Sequence, residues 1–226
     1  MGTAIDDVAW GVNEITEAHG AQRFTSNGTF VVPDNVYKIL ITACGGGGGG
    51  TRYNQGNERG NGGGGADYCI KEPFSVTPQT SISITIGKGG AVASNGGNTV
   101  VGSLITLEGG KSDGKGSGKG GSGGAHAGFS TSGDSLYLMV VSGQNSGNAP
   151  GGRGTIGNPT GSNPIYCHGA GGGSLGHGAD AGYSIPNSSS VQSGSPGYGG
   201  GGAGGYGTSG YSQATAGGDG IVIIEW

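Results

Sequence analysis

The side chains of this 226-residue chain best able to hold a metal or act as a nucleophile are His126, His168, His177, Cys44, Cys69 and Cys167. Their spacing supports neither use. Cys167-His168 with His177 has no Cys-x-x-Cys or His-x-His to complete a ligand set, so no metal site is expected. Three cysteines, an odd number set far apart, do not make a disulfide framework. They read as free, small, buried residues, which fits folding in a reducing compartment. The carboxylates Asp67, Glu72, Glu108, Asp113, Asp134, Asp180, Asp219 and Glu225 are scattered, and nothing singles out a glycosidase-type pair. No Gly-x-Ser-x-Gly elbow precedes a helix, and no glycine tract leads into Lys-Ser/Thr as a phosphate loop would. The expectation is a protein that is not an enzyme and carries no cofactor.

A second set of residues is better placed to bind than to react. Tyr53, Tyr166, Tyr183, Tyr198, Tyr206 and Tyr211 interrupt glycine stretches, as do Arg52, Arg59, Arg153 and His168. Tyrosine with Ser, Gly and Asn is the composition of adaptable binding loops: tyrosine supplies rigid contact area and the small polar residues supply hydrogen bonds. Two uses stay open, an exposed contact surface or the hydrophobic cover of a glycine layer. The candidate binding set is Arg52, Tyr53, Arg153, Tyr166, His168, Tyr183, Tyr198, Tyr206 and Tyr211, with Arg59 in reserve.

The elements that must position these residues are strands. Ser81-Ile-Ser-Ile-Thr-Ile86 alternates strictly, with isoleucines on one face and hydroxyls on the other. Val36 to Ala43 places Tyr37, Ile39, Ile41 and Ala43 on one face. Thr29 to Pro33, Ala66 to Glu72, Thr99 to Leu107, Ser135 to Val141 and Ile221 to Trp226 bring the expected strands to about seven. The fold class expected is all-β, a sandwich or jelly-roll-like framework with inserted glycine-rich segments.

Those segments fill three blocks, Gly45 to Gly65, Gly109 to Gly128 and Gly143 to Gly218, within a chain holding 60 glycines. Gly45 to Gly50 is an unbroken run of six. Gly201-Gly-Ala, Gly204-Gly-Tyr, Gly207-Thr-Ser and Gly210-Tyr-Ser are four consecutive Gly-x-y triplets. A polyproline II helix has three residues per turn, so glycine at every third position leaves one face bare. Neighbouring helices can then approach until backbone N–H and C=O groups pair laterally, which satisfies groups that burial would otherwise orphan. Without such bonds the composition would default to disorder, because ordering glycine costs more entropy than ordering any other residue. Collagen is excluded by the short triplet runs and only 8 prolines.

The first 22 residues read as a separate connector, with residues 23–226 as the domain. Ile5, Val8, Val12 and Ile15 are spaced 3, 4, 3, the pattern of a heptad seam, and Gly20 is a helix stop. Either a frayed tail or a coiled-coil stem satisfies this spacing. The stem would oligomerise the chain. A net charge of −4 with 11% charged residues argues against nucleic-acid binding. No apolar run approaches a membrane span, and no signal peptide is visible.

Phe24-Thr-Ser-Asn-Gly-Thr-Phe-Val-Val-Pro33, followed by Val36 to Ala43 and the glycine run to Gly50, resembles the opening of the glycine-rich domain of bacteriophage and prophage tail fibres. Phe74 to Pro78, Ser81 to Ile86 and Gly87-Lys-Gly-Gly90 are similar to its middle strands, and Gly217-Gly-Asp-Gly-Ile-Val-Ile-Ile-Glu-Trp226 to its closing strand. The resemblance implies a receptor-binding fibre tip: a homotrimeric virion protein made in the host cytoplasm, joined to an upstream shaft, that recognises a bacterial surface glycan or protein. It transfers no individual site residue. A stiff structural cap that reads no host is the alternative. An ice-binding or matrix protein of stacked glycine helices is disfavoured by the clean strands at both ends.

Overall fold

The computed structural model describes residues 19–53, 61–112, 155–157, 165–167, 171, 173–175, 183–184, 195–206 and 214–226. Eight strands form two four-stranded sheets: Ala21–Phe24 (β1), Gly28–Val31 (β2), Lys38–Cys44 (β3), Tyr68–Ser75 (β5), Ser81–Thr85 (β6), Thr99–Val101 (β7), Ile105–Leu107 (β8) and Ile221–Glu225 (β13). Five shorter strands accompany them: Arg52–Tyr53 (β4), Thr155–Gly157 (β9), Ile165–Cys167 (β10), Tyr183–Ser184 (β11) and Gly205–Tyr206 (β12). One sheet runs β1-β13-β3-β5 and the other β2-β6-β7-β8, all neighbours antiparallel.

The period-2 runs explain the sandwich. Ile39, Ile41 and Ala43 of β3, with Val222 and Ile224 of β13, point inward from the first sheet. Ile82, Ile84, Val101, Ile105 and Leu107 face them from the second, and all join one core with Phe24 and Phe30. Register keeps the inward rows aligned: Val222 lies between Phe24 and Ala43, and Ile224 is paired with Ile41. Trp226 packs its ring against Phe30 at a tilt of 47°, centroids 5.3 Å apart, and lies against the core. Gly20 exchanges both backbone hydrogen bonds with Trp226, and a Cβ there would strike the indole. Gly20 therefore serves a close approach to the closing strand. The helix expected before it lies outside the described residues.

One strand expectation is corrected, and one strand was not expected. Thr99 to Leu107 is a hairpin and not one strand, because Gly102 takes a positive φ of 49° and Leu104 N–H donates to Val101 C=O. β1 carries no apolar alternation, since only Phe24 of its four residues is buried. It forms by pairing with β13, which no local pattern reveals. Ser135 to Val141 lies outside the described residues.

The described glycine segments are inserted between these strands and continue them from one end of the sandwich as extended segments. Gly45 to Thr51 follows β3 and forms the axis. Its amides donate in threefold rotation over 2.8–3.0 Å: Gly45, Gly48 and Thr51 to Asp67, Gly64 and Asn61; Gly46 and Gly49 to Gly97 and Ser94; Gly47 and Gly50 to Gly218 and Thr215. Three other segments donate to its carbonyls: Gly110 to Gly46, Gly90 and Ala93 to Gly47 and Gly50, and Gly202 and Gly205 to Gly48 and Thr51. Bonds to the same neighbour recur every third residue, which is the pitch of a polyproline II helix.

The six neighbours also bond to one another and close a ring. In order round the axis they are 61–67, 197–205, 214–220, 87–93, 94–98 and 108–112. The linking bonds include Gly63 to Gly202, Thr215 to Ala203, Gly217 to Gly90, Gly97 to Lys88, Gly96 to Gly110 and Gly64 to Lys111. Successive ring segments run antiparallel, so the axis has three parallel and three antiparallel neighbours. The result is a seven-helix hexagonal array whose core is backbone.

Glycine is required here for its missing side chain. A Cβ on any residue from Gly45 to Gly50 would lie under 3.0 Å from a neighbour's carbonyl group. The axis touches neighbours on every side, so each of its first six positions is glycine. In contrast, the outer segments keep an outward position free, and Lys88 and Ala91, or Glu108 and Lys111, recur there at a spacing of three.

Candidate functional site

The array has two poles. At the near pole its segments join the sandwich at Cys44, Tyr68, Thr99, Leu107 and Ile221. At the far pole, about 19 Å along the axis at 3.1 Å per residue, lie Thr51 to Tyr53, Asn61, the Ala91–Ser94 turn, Ser112, Gly205 and Tyr206. Ala21 pairs with Glu225, at the end of the sandwich opposite the array. The chain therefore enters the sandwich at one extremity, and the described segment ends Tyr53, Asn61, Ser112 and Tyr206, with the Ala91–Ser94 turn, lie at the other.

The expected binding residues separate along this axis. Arg52 and Tyr53 continue the axis as β4 and pair in parallel with β12, Arg52 opposite Gly205 and Tyr53 opposite Tyr206. Tyr53 and Tyr206 thus share a register position at the far pole, supported by the Gly202 and Gly205 bonds to the axis. Tyr198 is at the other pole. It sits in the turn closed by Gly200 N–H to Gly197 C=O, where Gly199 bonds to Asp219, and it is 42% exposed. It is roughly 25 Å from Tyr206 along the segment. Tyr166 and Tyr183 lie on adjacent strands β10 and β11, with Tyr166 opposite Ser184 and Tyr183 opposite Cys167. Arg59, Arg153, His168 and Tyr211 lie outside the described residues.

Short polar side chains finish the array where backbone partners run out, a role that sequence reasoning missed. Asn98 and Asn95, three apart, present Oδ1 to the amides of Gly109 and Ser112 at 3.0 and 2.8 Å. Asp219 accepts from Gly89 at 2.8 Å, Thr99 from Gly87, Thr215 from Ala203 and Thr51 from Asn61. The signal in the sequence was a lone Asn, Asp or Thr at the edge of a glycine run.

Three ion pairs join described residues. Lys88 pairs with Asp219 at 2.8 Å and Lys71 with Glu225 at 3.3 Å. Lys111 and Glu108 lie 3.7 Å apart on one outer face. Burial raises the Asp219 pKa, but the Lys88 hydrogen bond and the Gly89 amide outweigh it and hold the carboxyl below its usual range. Cys44 and Cys69 are free and buried. Desolvation pushes the Cys44 thiol up to about 12, against hydrogen bonds from Ile221 and Ser174, and pushes Cys69 up to about 11. Both are therefore neutral thiols at physiological pH and poor nucleophiles. Among the described residues no group of His, Cys, Asp or Glu is placed to hold a metal ion. Nor is any described helix long and apolar enough to cross a membrane.

Fold and site together define a class: a β-sandwich that carries a polyglycine helix array, with one pole of the array at the sandwich and the other away from it. Residues 25–226 match the family model described as a glycine-rich domain, and the chain belongs to that family. Comparison with curated proteins gives no match.

Proposed function

We propose that this protein is the receptor-binding tip of a bacteriophage tail fibre, or of a related tail-like particle, and that it adheres to a glycan or outer protein of a bacterial surface. The observation that carries the reading is polarity. The chain enters the sandwich at one end, and Arg52, Tyr53 and Tyr206 are held at the other by an array with a backbone core. Side chains at the far pole can then vary without touching the packing of the sandwich, the arrangement expected of binding loops on a rigid scaffold.

The activity proposed is adhesion and not catalysis, without cofactor, nucleic acid or membrane insertion. An upstream shaft would join at the N-terminal pole. Residues Ile5, Val8, Val12 and Ile15 would form a trimeric stem, giving weak single sites useful avidity. The protein would act on the virion after synthesis in the host cytoplasm. The test is adsorption of the labelled protein to susceptible and receptor-deficient bacteria, with purified envelope glycan and outer-membrane protein as competitors. Saturable binding removed by one competitor supports the reading. Equal retention on both strains sinks it.

A specific observation favours a second reading, the structural cap. Gly45 to Gly50 and residues 61–66 are buried and laterally bonded, so a protease finds no extended backbone there. A cap would survive digestion and bind no host component.

A further inference from the structure

The chain contains three Asn-Gly bonds, Asn27-Gly28, Asn61-Gly62 and Asn95-Gly96, and all three fall in described residues. We propose that Asn95-Gly96 is a spontaneous modification site at which the array ages, and that the array itself requires this labile pair. Position 95 needs a short acceptor, because Asn95 Oδ1 takes the Ser112 amide at 2.8 Å. Position 96 needs glycine, because a Cβ there would run into the carbonyl of Gly46 on the axis. Asn followed by Gly satisfies both demands and is also the dipeptide most prone to cyclise, since glycine leaves its own nitrogen unshielded.

The chemistry needs only water and hydroxide. The Gly96 amide loses its proton to hydroxide, its nitrogen bonds to Asn95 Cγ, and the Cγ–Nδ2 bond breaks with release of ammonia. One water then opens the succinimide at either carbonyl, giving aspartate or isoaspartate. In the folded protein two bonds oppose the first step. Gly96 N–H is donated to Gly110 C=O at 2.9 Å, and Asn95 Oδ1 is held by Ser112. Asn95 is nevertheless exposed, on an outer segment, whereas Asn61 is 1% exposed. Local opening of 94–98 therefore admits the reaction at Asn95 sooner than at Asn61.

The two products differ in consequence. Aspartate keeps the acceptor, as Asp219 does for Gly89. Isoaspartate routes the backbone through the side chain and lengthens it by one atom. That extra atom falls between Ser94 C=O and Gly97 C=O, which accept from Gly49 and Gly46 of the axis. The threefold register of the segment cannot hold both bonds at once.

The experiment incubates the full chain and Asn95→Asp in warm, mildly alkaline buffer, maps isoaspartate by peptide mass spectrometry and melts the species separated by ion exchange. The three Asn-Gly sites are read separately. The expected result has isoaspartate accumulating at 95 ahead of 61. The fraction carrying it melts several degrees below the parent, while fresh Asn95→Asp melts with the parent and accumulates that fraction at position 95 more slowly, because an ionised carboxylate is a poorer electrophile than the amide. The proposal is overturned by isoaspartate at 95 with parental melting, by modification of Asn61 ahead of Asn95, or by fresh Asn95→Asp melting as low as the aged protein.

Discussion

At the residue scale the axis glycines are the least replaceable positions in the chain. Gly47 faces the carbonyl of Gly200, and both belong to bonded backbone that cannot rotate away. Gly47→Ala should cost about 3 kcal/mol, the upper range for overpacking, and lower the melting temperature by roughly 10 °C. Ala91→Ser, on the outer face, should change stability by less than about 0.5 kcal/mol. Thermal denaturation of the pair checks both. The thiols give a pH prediction. In the unfolded chain Cys44 ionises near the ordinary value of 9.0, while the fold keeps its proton until about 12. Across that window the unfolded state binds fewer protons, so stability falls as pH rises. Cys44→Ala should show a shallower decline of melting temperature above pH 9.0 than the parent, and an identical slope would contradict the burial argument.

At the scale of elements, the array makes its own prediction about dynamics. Gly46 to Gly50 lie in no helix or strand of the usual kinds, yet each is buried and donates its amide to one of three other segments of the chain. Their exchange with solvent deuterium should be as slow as that of β3 and β13. Exchange at loop rates would mean that the array opens locally. The edge amides depend on side chains, so Asn98→Ala should strand the Gly109 N–H at a cost of about 1–3 kcal/mol. Asn98→Asp should stay near the parent, and chemical denaturation distinguishes the two.

The sandwich was largely legible, because Ser81 to Ile86 and Ile221 to Trp226 carry their burial pattern locally. The hairpin at Gly102 and the edge strand β1 were not, since a positive φ and a partner 200 residues away leave little local trace. The helices of the array were suggested by Gly45 to Gly50 and the triplets. Its hexagonal order was hidden, because the axis takes partners from Asn61 to Gly218 and every segment looks alike. Of the candidate site, the aromatic positions were visible, but not which pole each occupies. Tyr198 and Tyr206 share a glycine tract and end on opposite sides of the array.

At the scale of the whole molecule the proposed function gives two poles separate tasks. The N-terminal pole is the proposed place of assembly. Light scattering of the full chain should give a trimer, and substituting Val8 and Val12 with Asp should give monomers whose sandwich still melts cooperatively. The far pole is the proposed reading head, where the register places Tyr53 beside Tyr206. The most direct test compares adsorption to host bacteria by Tyr53→Ala/Tyr206→Ala and by Tyr198→Ala, each beside its melting temperature. The account predicts that the double variant loses adsorption at least tenfold, about 1.4 kcal/mol, that Tyr198→Ala binds like the parent, and that both melt within a few degrees of it. Equal adsorption by all three proteins, or loss confined to Tyr198→Ala, would contradict it.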